Sequence, residues 1–402
     1  MRHKEKLWTK DFILFCLSYL LMAAGFYFLL PTLPVFVTEV LGEDKSKIGY
    51  IIGFYALSAL LIRPFSGYAL DSLGRRRVYL LSMLMFTLAT FLYSYAATFM
   101  WLLALRLFHG LGWGMITTGG GTIPADLVPK QRRGEGIGYF GLSITLSMAI
   151  GPLLGLWMLQ ETSFDFLFYA TFGITAVSLG LAYLVKYPDI AHKAATVSEE
   201  QSTPKSSKKK VKMFETKASH ASIVVFLFCV AYASVFSFVA VFSQENKLGH
   251  SGLFFFLLAI GVGISRPLAG KMMDRRGPNQ IMLLSFLLGF AGFITLSLSS
   301  HSLFLFLLAG FIIGIGCGSI IPTLQTMIMN MVLPERRGAA NATYYAAVDL
   351  GISIGSVVLG YVATWTSTAF MFRICACMFV VAGAYFFSTA YKHYLRNTLA
   401  MS

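Results

Sequence analysis

The chain has 402 residues, 56% of them hydrophobic and only 12% charged, with a formal net charge of +14. A water-soluble fold of this make-up would expose more apolar surface than water tolerates, so lipid is the expected solvent. The positive charge is divided into short clusters between apolar runs, a pattern of membrane topology that excludes a nucleic-acid partner.

Twelve runs reach the ~20 residues that a helix needs to cross a bilayer. They cover 12–37, 48–70, 78–97, 99–127, 137–159 and 165–186, then 219–242, 252–273, 280–298, 303–331, 342–364 and 369–391. The runs are continuous and not alternating, which predicts helices and rules against a barrel. Lys45, Lys47 and Lys247 fall in the loops opposite the termini, and Arg63, Arg106, Arg266 and Arg373 fall within spans. The remaining Lys and Arg residues lie on the side of the termini. This bias predicts a multi-pass protein of the cell (inner or plasma) membrane with both ends cytoplasmic. "MRHKEKLWTK" is basic, but the apolar run after it is too long for a cleaved signal and has no small-residue cleavage site. All five cysteines fall in spans without CxxC or metal-ligand spacing, so neither disulfides nor a metal is expected.

In chain order, the first span holds Tyr19, Phe26 and Tyr27 and no acid beyond Asp11 at its mouth. The second ends in "RPFSGYALDSLGRRR", from Arg63 to Arg77. The fourth, "LRLFHGLGWGMITTGGGTIPADL", places Arg106, His109 or Gly110, Trp113 and Thr117 on one helical face. Arg106 lies roughly 10 Å from the end of its span by helical rise. A charge there costs ~2.5–3.5 kcal/mol on the insertion scale, so it must face water or a partner. The fifth span carries Gly138, Gly151, Pro152 and Gly155 in "GYFGLSITLSMAIGPLLGL". Gly136, Gly138 and Gly141 also spell GxGxxG, but no strand precedes them and a dinucleotide role is rejected.

A polar, Lys-rich stretch, "KYPDIAHKAATVSEEQSTPKSSKKKVKMFETK", separates the halves and reads as a cytoplasmic linker. The expected organisation is a six-helix bundle at 1–186, a linker at 187–217 and a second six-helix bundle at 218–402. The second half repeats the first. Arg63, Pro64, Gly67, Asp71 and Gly74 correspond to Arg266, Pro267, Gly270, Asp274 and Gly277, and "VPKQRRG" corresponds to "LPERRG". Parallel repeats of this kind point to a transporter that rocks about a midplane site. Features shared by the halves are then architecture, and features confined to one half are candidates for chemistry.

Three features are unshared. Arg106 and His109 have no counterpart in the tenth span. Asp349, in "YYAAVDLGISIG", is an acid deep in the eleventh span, roughly 12 Å from its edge by helical rise. Thr145 holds the equivalent place in the first half.

The twelve spans, the central loop and the duplicated Gly–Asp–Gly–basic loop closely resemble the major facilitator superfamily, and the fifth-span glycines resemble its drug/proton antiporter branch. Ser147 and Leu156 stand where that branch carries two further glycines. The resemblance implies an all-α membrane protein of twelve transmembrane helices in two six-helix bundles. It implies a conformational latch formed by Gly67, Asp71, Gly74, Arg75, Asp126 and Asp274, in which the loop carboxylate meets the start of the eleventh helix and Arg75 meets Asp126. It places Gly138, Gly151, Pro152 and Gly155 on a helix at the interface between halves. It also packs the second span on the eleventh, making an Arg63–Asp349 pair plausible, with Arg266 either sharing the acid or simply echoing the repeat. Proton-coupling or substrate candidates are Arg106, His109, Asp349, Arg63 and Trp113. Tyr19, Phe26, Tyr27, Tyr232, Phe236 and Gln325 are candidates to line an aromatic cavity.

The function expected is proton-coupled export of small amphipathic compounds, drugs or metabolites, by a monomer in the lipid bilayer with protons and a small-molecule substrate as partners. No GxxxxGK[ST] motif is present, so no nucleotide or other cofactor is expected and the proton gradient is the energy source. One charge moving through ~100 mV supplies ~2.3 kcal/mol, enough for roughly a 50-fold gradient. Arg106 without a central acid favours neutral or anionic cargo. The alternative is an importer or facilitator of a sugar or organic acid on the same fold. A membrane enzyme or receptor is a remote alternative, since no HExxH or comparable cluster and no sizeable soluble domain is present.

Overall fold

A computed structural model describes residues 6–129, 132–187, 215–332 and 337–399. Most of the linker, including "KKKVK", lies outside them, as do the side chains of Asp71 and Asp274 and the surroundings of Gly138. Among the described residues the chain is helical throughout, and twelve helices are long and apolar enough to cross a membrane.

The helices are α1 (Lys10–Glu39), α2 (Lys45–Ser72), α3 (Arg75–Leu92), α4 (Phe99–Leu127), α5 (Arg133–Glu161) and α6 (Phe164–Leu184). They continue with α7 (Ser219–Glu245), α8 (Ser251–Arg276), α9 (Pro278–Ser297), α10 (Leu303–Met331), α11 (Arg337–Trp365) and α12 (Thr368–Thr398). Hydroxyl caps set several starts. Thr98 and Ser163 accept from Trp101 N and Phe166 N, and their repeat equivalents Ser302 and Ser367 accept from Leu305 N and Phe370 N. Each such cap contributes ~1 kcal/mol. The loop glycine is duplicated for a backbone reason: Gly74 turns the chain at φ 89° and Gly277 at φ 70°, where a side chain is strained.

Two departures from simple spans have local causes. α10 breaks at Ser319, between Leu303–Gly318 and Ile320–Met331. Pro322 cannot donate to the Gly318 carbonyl, and its ring crowds that group. α12 contains a π-helical stretch at Phe386–Ala390 and continues beyond the expected end.

Packing follows the repeat. α1 packs on α5 and α6, α2 on α4, and α3 on α4 and α6; α7 packs on α11 and α12, α8 on α10, and α9 on α10 and α12. Two six-helix bundles result. They meet along two equivalent seams, α2 with α11 and α5 with α8, with α1 and α7 between them.

At the face away from the termini, here the distal face, the seams are sealed. A side chain on Gly49 would sit 2.2 Å from the Ser356 carbonyl oxygen, so α2 and α11 touch backbone to backbone. Tyr50 and Tyr361 share a hydroxyl hydrogen bond of 2.5 Å, and Lys45 Nζ lies 2.5 Å from Glu245 Oε1. Glu245 also accepts from Thr368 Oγ1, tying α2, α7 and α12 together. A cleft of about 620 Å³ between Glu39, Gln160, Gln244 and Lys247 lies at this face.

Candidate functional site

Within the spans, each seam is crossed by an arginine. On the first, Arg63 of α2 donates from Nε to Asp349 Oδ2 at 2.5 Å and from Nη2 to Oδ1 at 3.3 Å. Asp349 is the thirteenth of the 29 residues of α11, and its side chain is 9% exposed against 19% for Arg63. This two-pronged pairing is the geometry in which a guanidinium holds a carboxylate best. Arg63 also donates to Thr117 Oγ1 of α4 at 3.2 Å, and its guanidinium carbon lies 5.5 Å from the Tyr345 ring centre.

On the second seam, Arg266 of α8 donates from Nη1 to Thr145 Oγ1 of α5 at 2.8 Å. The two arginines are repeat equivalents, and so are Asp349 and Thr145. Arg266 therefore does not share the acid; it repeats the first seam with a neutral hydroxyl in place of the carboxylate.

A polar track leads from the first seam. Gln325 Nε2 donates to Asn341 Oδ1 at 2.9 Å and reaches Tyr345 Oη at 3.5 Å. Asn341, Tyr345 and Asp349 recur every four residues on one face of α11. Sequence reasoning found Gln325 but missed Asn341 and Tyr345, although their spacing from Asp349 was the available signal. Tyr27, Tyr232 and Phe236 line the meeting of α1 and α7: Phe236 lies 6.2 Å from Tyr27 and 5.5 Å from Tyr232 between ring centres. Tyr19 and Phe26, expected in the cavity, are buried within the first bundle, where Phe26 stacks on Trp113 at 4.1 Å.

Arg106 and His109 are also inside that bundle. Arg106 is 1% exposed, donates from Nε to the Ile51 carbonyl of α2 at 2.9 Å, and lies over the Tyr55 ring at 4.0 Å. Backbone carbonyl and aromatic face each partner this buried charge, while its Nη1 has no hydrogen-bond partner among the described residues. His109 Nδ1 shares a hydrogen with Tyr93 Oη at 2.9 Å, and its ring meets Phe86 edge-on at 4.1 Å. With Trp113 they form a cluster among α2, α3 and α4, separate from the Arg63–Asp349 contact.

Arg75 and Asp126 form the expected ion pair, joining α3 to α4. Gly67 has open space around it. The glycines Gly151 and Gly155 of α5 meet a neighbour in their own bundle. A side chain on Gly151 would meet Tyr27 Cβ at 2.4 Å, and one on Gly155 would meet the Phe28 carbonyl oxygen at 2.8 Å. These glycines, flanking Pro152, bring α5 onto α1, while α5 as a helix lies along the seam between the halves. The seam with α8 includes Leu153, whose backbone lies close to Gly252.

Twin helical bundles joined within their spans by a charged contact across their seam define a multi-pass membrane transporter. The family model of the Major Facilitator Superfamily matches residues 15–296 and 247–399. The chain belongs to that superfamily. It is 25% identical over 368 residues to an MFS-type transporter of Methanocaldococcus jannaschii, covering 89% of this chain and 92% of that one. It is 23% identical over 350 residues to the staphylopine export protein of Staphylococcus aureus, covering 85% and 86%. Among solved structures, the human organic anion transporter MFSD10 superposes with a TM-score of 0.67 at 18% identity, covering 94% of this chain and 98% of that one.

Proposed function

We propose that the chain is a proton-coupled exporter of small amphipathic compounds that works by alternating access, with the termini face cytoplasmic. The Arg63–Asp349 bridge carries the reading. It is buried within the spans and joins helices of opposite bundles, so it exists only while α2 and α11 meet at that depth. Protonating Asp349 removes the charge that holds Arg63 and weakens the contact between halves, which is how one proton biases a two-state rocker. The likeness to a protein named for export supports the direction. Arg75–Asp126 and the loop carboxylates Asp71 and Asp274 serve as the latch at the cytoplasmic rim.

The test is transport in proteoliposomes carrying an imposed pH gradient, with a panel of fluorescent acidic and basic amphipathic dyes. Uphill dye movement should run opposite to the proton flow and stop when an ionophore collapses the gradient. Equal rates with and without the gradient would remove proton coupling.

A further inference from the structure

The two seams are built on one plan yet differ in charge. Arg63 is neutralised by Asp349 through two hydrogen bonds. Among the described residues Arg266 is hydrogen-bonded to the Thr145 hydroxyl and no carboxylate lies within ion-pair reach of it. Thr145 donates its own hydrogen to the Gly141 carbonyl at 3.2 Å, leaving its oxygen lone pairs to accept from Arg266. A guanidinium has five N–H donors, so a hydroxyl on one of them leaves most of its capacity unspent.

Its surroundings are those of a ligand wall. Arg266 is exposed, and its partner Thr145 stands on α5 six residues, roughly 9 Å of helix, from Gly151, where Tyr27 of α1 packs, so the arginine lies at the junction between the bundles. Phe236 bridges the Tyr27 and Tyr232 rings and stacks on Phe255 at 5.7 Å. If the arginine were only scaffold inherited from the repeat, an acid at position 145 would be the simplest partner, as the other seam demonstrates.

We propose that Arg266 anchors an acidic group, a carboxylate or sulfonate, of an aromatic substrate, with the Tyr27–Tyr232–Phe236 wall holding the ring. The planar fork of arginine fits such oxyanions two-pronged. This deepens the transport reading and rests on it in one respect: the space between the bundles is where cargo is held. Asp349 with Arg63 then moves the proton, and Arg266 selects the cargo.

The experiment is thermal stabilisation of the purified full chain by matched probes: naphthoate and naphthalenesulfonate against naphthamide, with a second series built on a phenyl ring. Binding needs no gradient or direction, so its outcome is independent of the export assay. The native protein should bind the acids roughly 10- to 100-fold more tightly than the amides, the usual worth of a charge-assisted hydrogen bond. Arg266→Gln should erase that preference, and Arg266→Lys should restore part of it. Thr145→Asp provides a second route: it rebuilds the pair of the other seam, keeps Arg266, and should also erase the preference. The proposal is overturned if no acid in either series outbinds its amide on the native protein, or if the preference survives both Arg266→Gln and Thr145→Asp. Should acid preference hold while gradient-driven efflux fails, the export reading falls and the anion site stands.

Discussion

Asp349→Asn isolates the charge of the seam from its shape. The amide keeps an acceptor for Arg63 and nearly the same volume, so the helices α2 and α11 still fit. At ~4 Å between charge centres and an effective dielectric of ~20, the lost attraction is about 4 kcal/mol. Part of that is offset, since both groups gave up water to be buried. Hydrogen bonds to charged groups retain about 1.5–3 kcal/mol net. The bridge exists only where the bundles meet within the spans, so this whole amount acts on the ratio of conformations. Each ~1.4 kcal/mol is tenfold, giving a shift of roughly 10- to 100-fold away from the distal-closed form. Spin labels at Glu161 and Gln244, exposed on opposite bundles at the distal face, report that shift as a longer distance by pulsed electron resonance. Gradient-driven transport should be lost while probe binding survives, because the variant mimics a permanently protonated acid. The double variant Arg63→Gln/Asp349→Asn should be more stable than Arg63→Gln alone, since a buried charge left without its partner is costlier than an uncharged pair. An Asn variant with native transport and an unchanged distance distribution would show that the Asp349 charge does not set the ratio of conformations.

Gly49→Leu cannot keep the distal seal, because its side chain would enter the Ser356 backbone; it should be inserted in the membrane, inactive, and distal-open by the same spin-label distance. Glu245→Gln should open the rim only slightly, since half-exposed ion pairs contribute ~0.2–1 kcal/mol, and high salt should reproduce its effect in the native protein. His109→Leu leaves the buried Tyr93 hydroxyl without its partner and should destabilise the protein by about 1–3 kcal/mol in a thermal melt, with the proton dependence of transport unchanged. A changed proton dependence in that variant would bring His109 back into the mechanism.

The fold was readable because lipid imposes a strict rule: every span must be long, apolar and helical. The repeat added depth to the reading, since equivalent positions such as Gly74 and Gly277 solve the same backbone problem twice. The Arg63–Asp349 contact was readable for the same reason. Two lone charges at similar depth in adjoining helices need each other more than either needs lipid. Neutral contacts leave no such trace. Tyr50–Tyr361 and Arg266–Thr145 depend on ordinary hydroxyls that recur throughout the chain, and only the packing shows which of them meet. The glycines of α5 carry only part of the information. Small residues announce a close helix approach but not the neighbour, and here that neighbour is α1.

The two seams differ where the repeat would make them alike. Evolution by duplication begins with two identical halves, and a symmetric rocker has no means of telling a proton from its cargo. In this chain α2 and α8 still present the same arginine at the same depth, so the distinction lies in what faces it. An aspartate gives one seam a titratable contact that protons can open. A threonine leaves the other seam with an exposed cation that no described carboxylate meets, the place where the proposed acidic cargo would dock. Separating the two roles onto opposite seams allows both ligands to act on one motion without competing for one arginine. Moving the acid from α11 to α5, as Thr145→Asp with Asp349→Thr, should therefore transfer both roles together: proton sensitivity to Arg266 and acid recognition to Arg63.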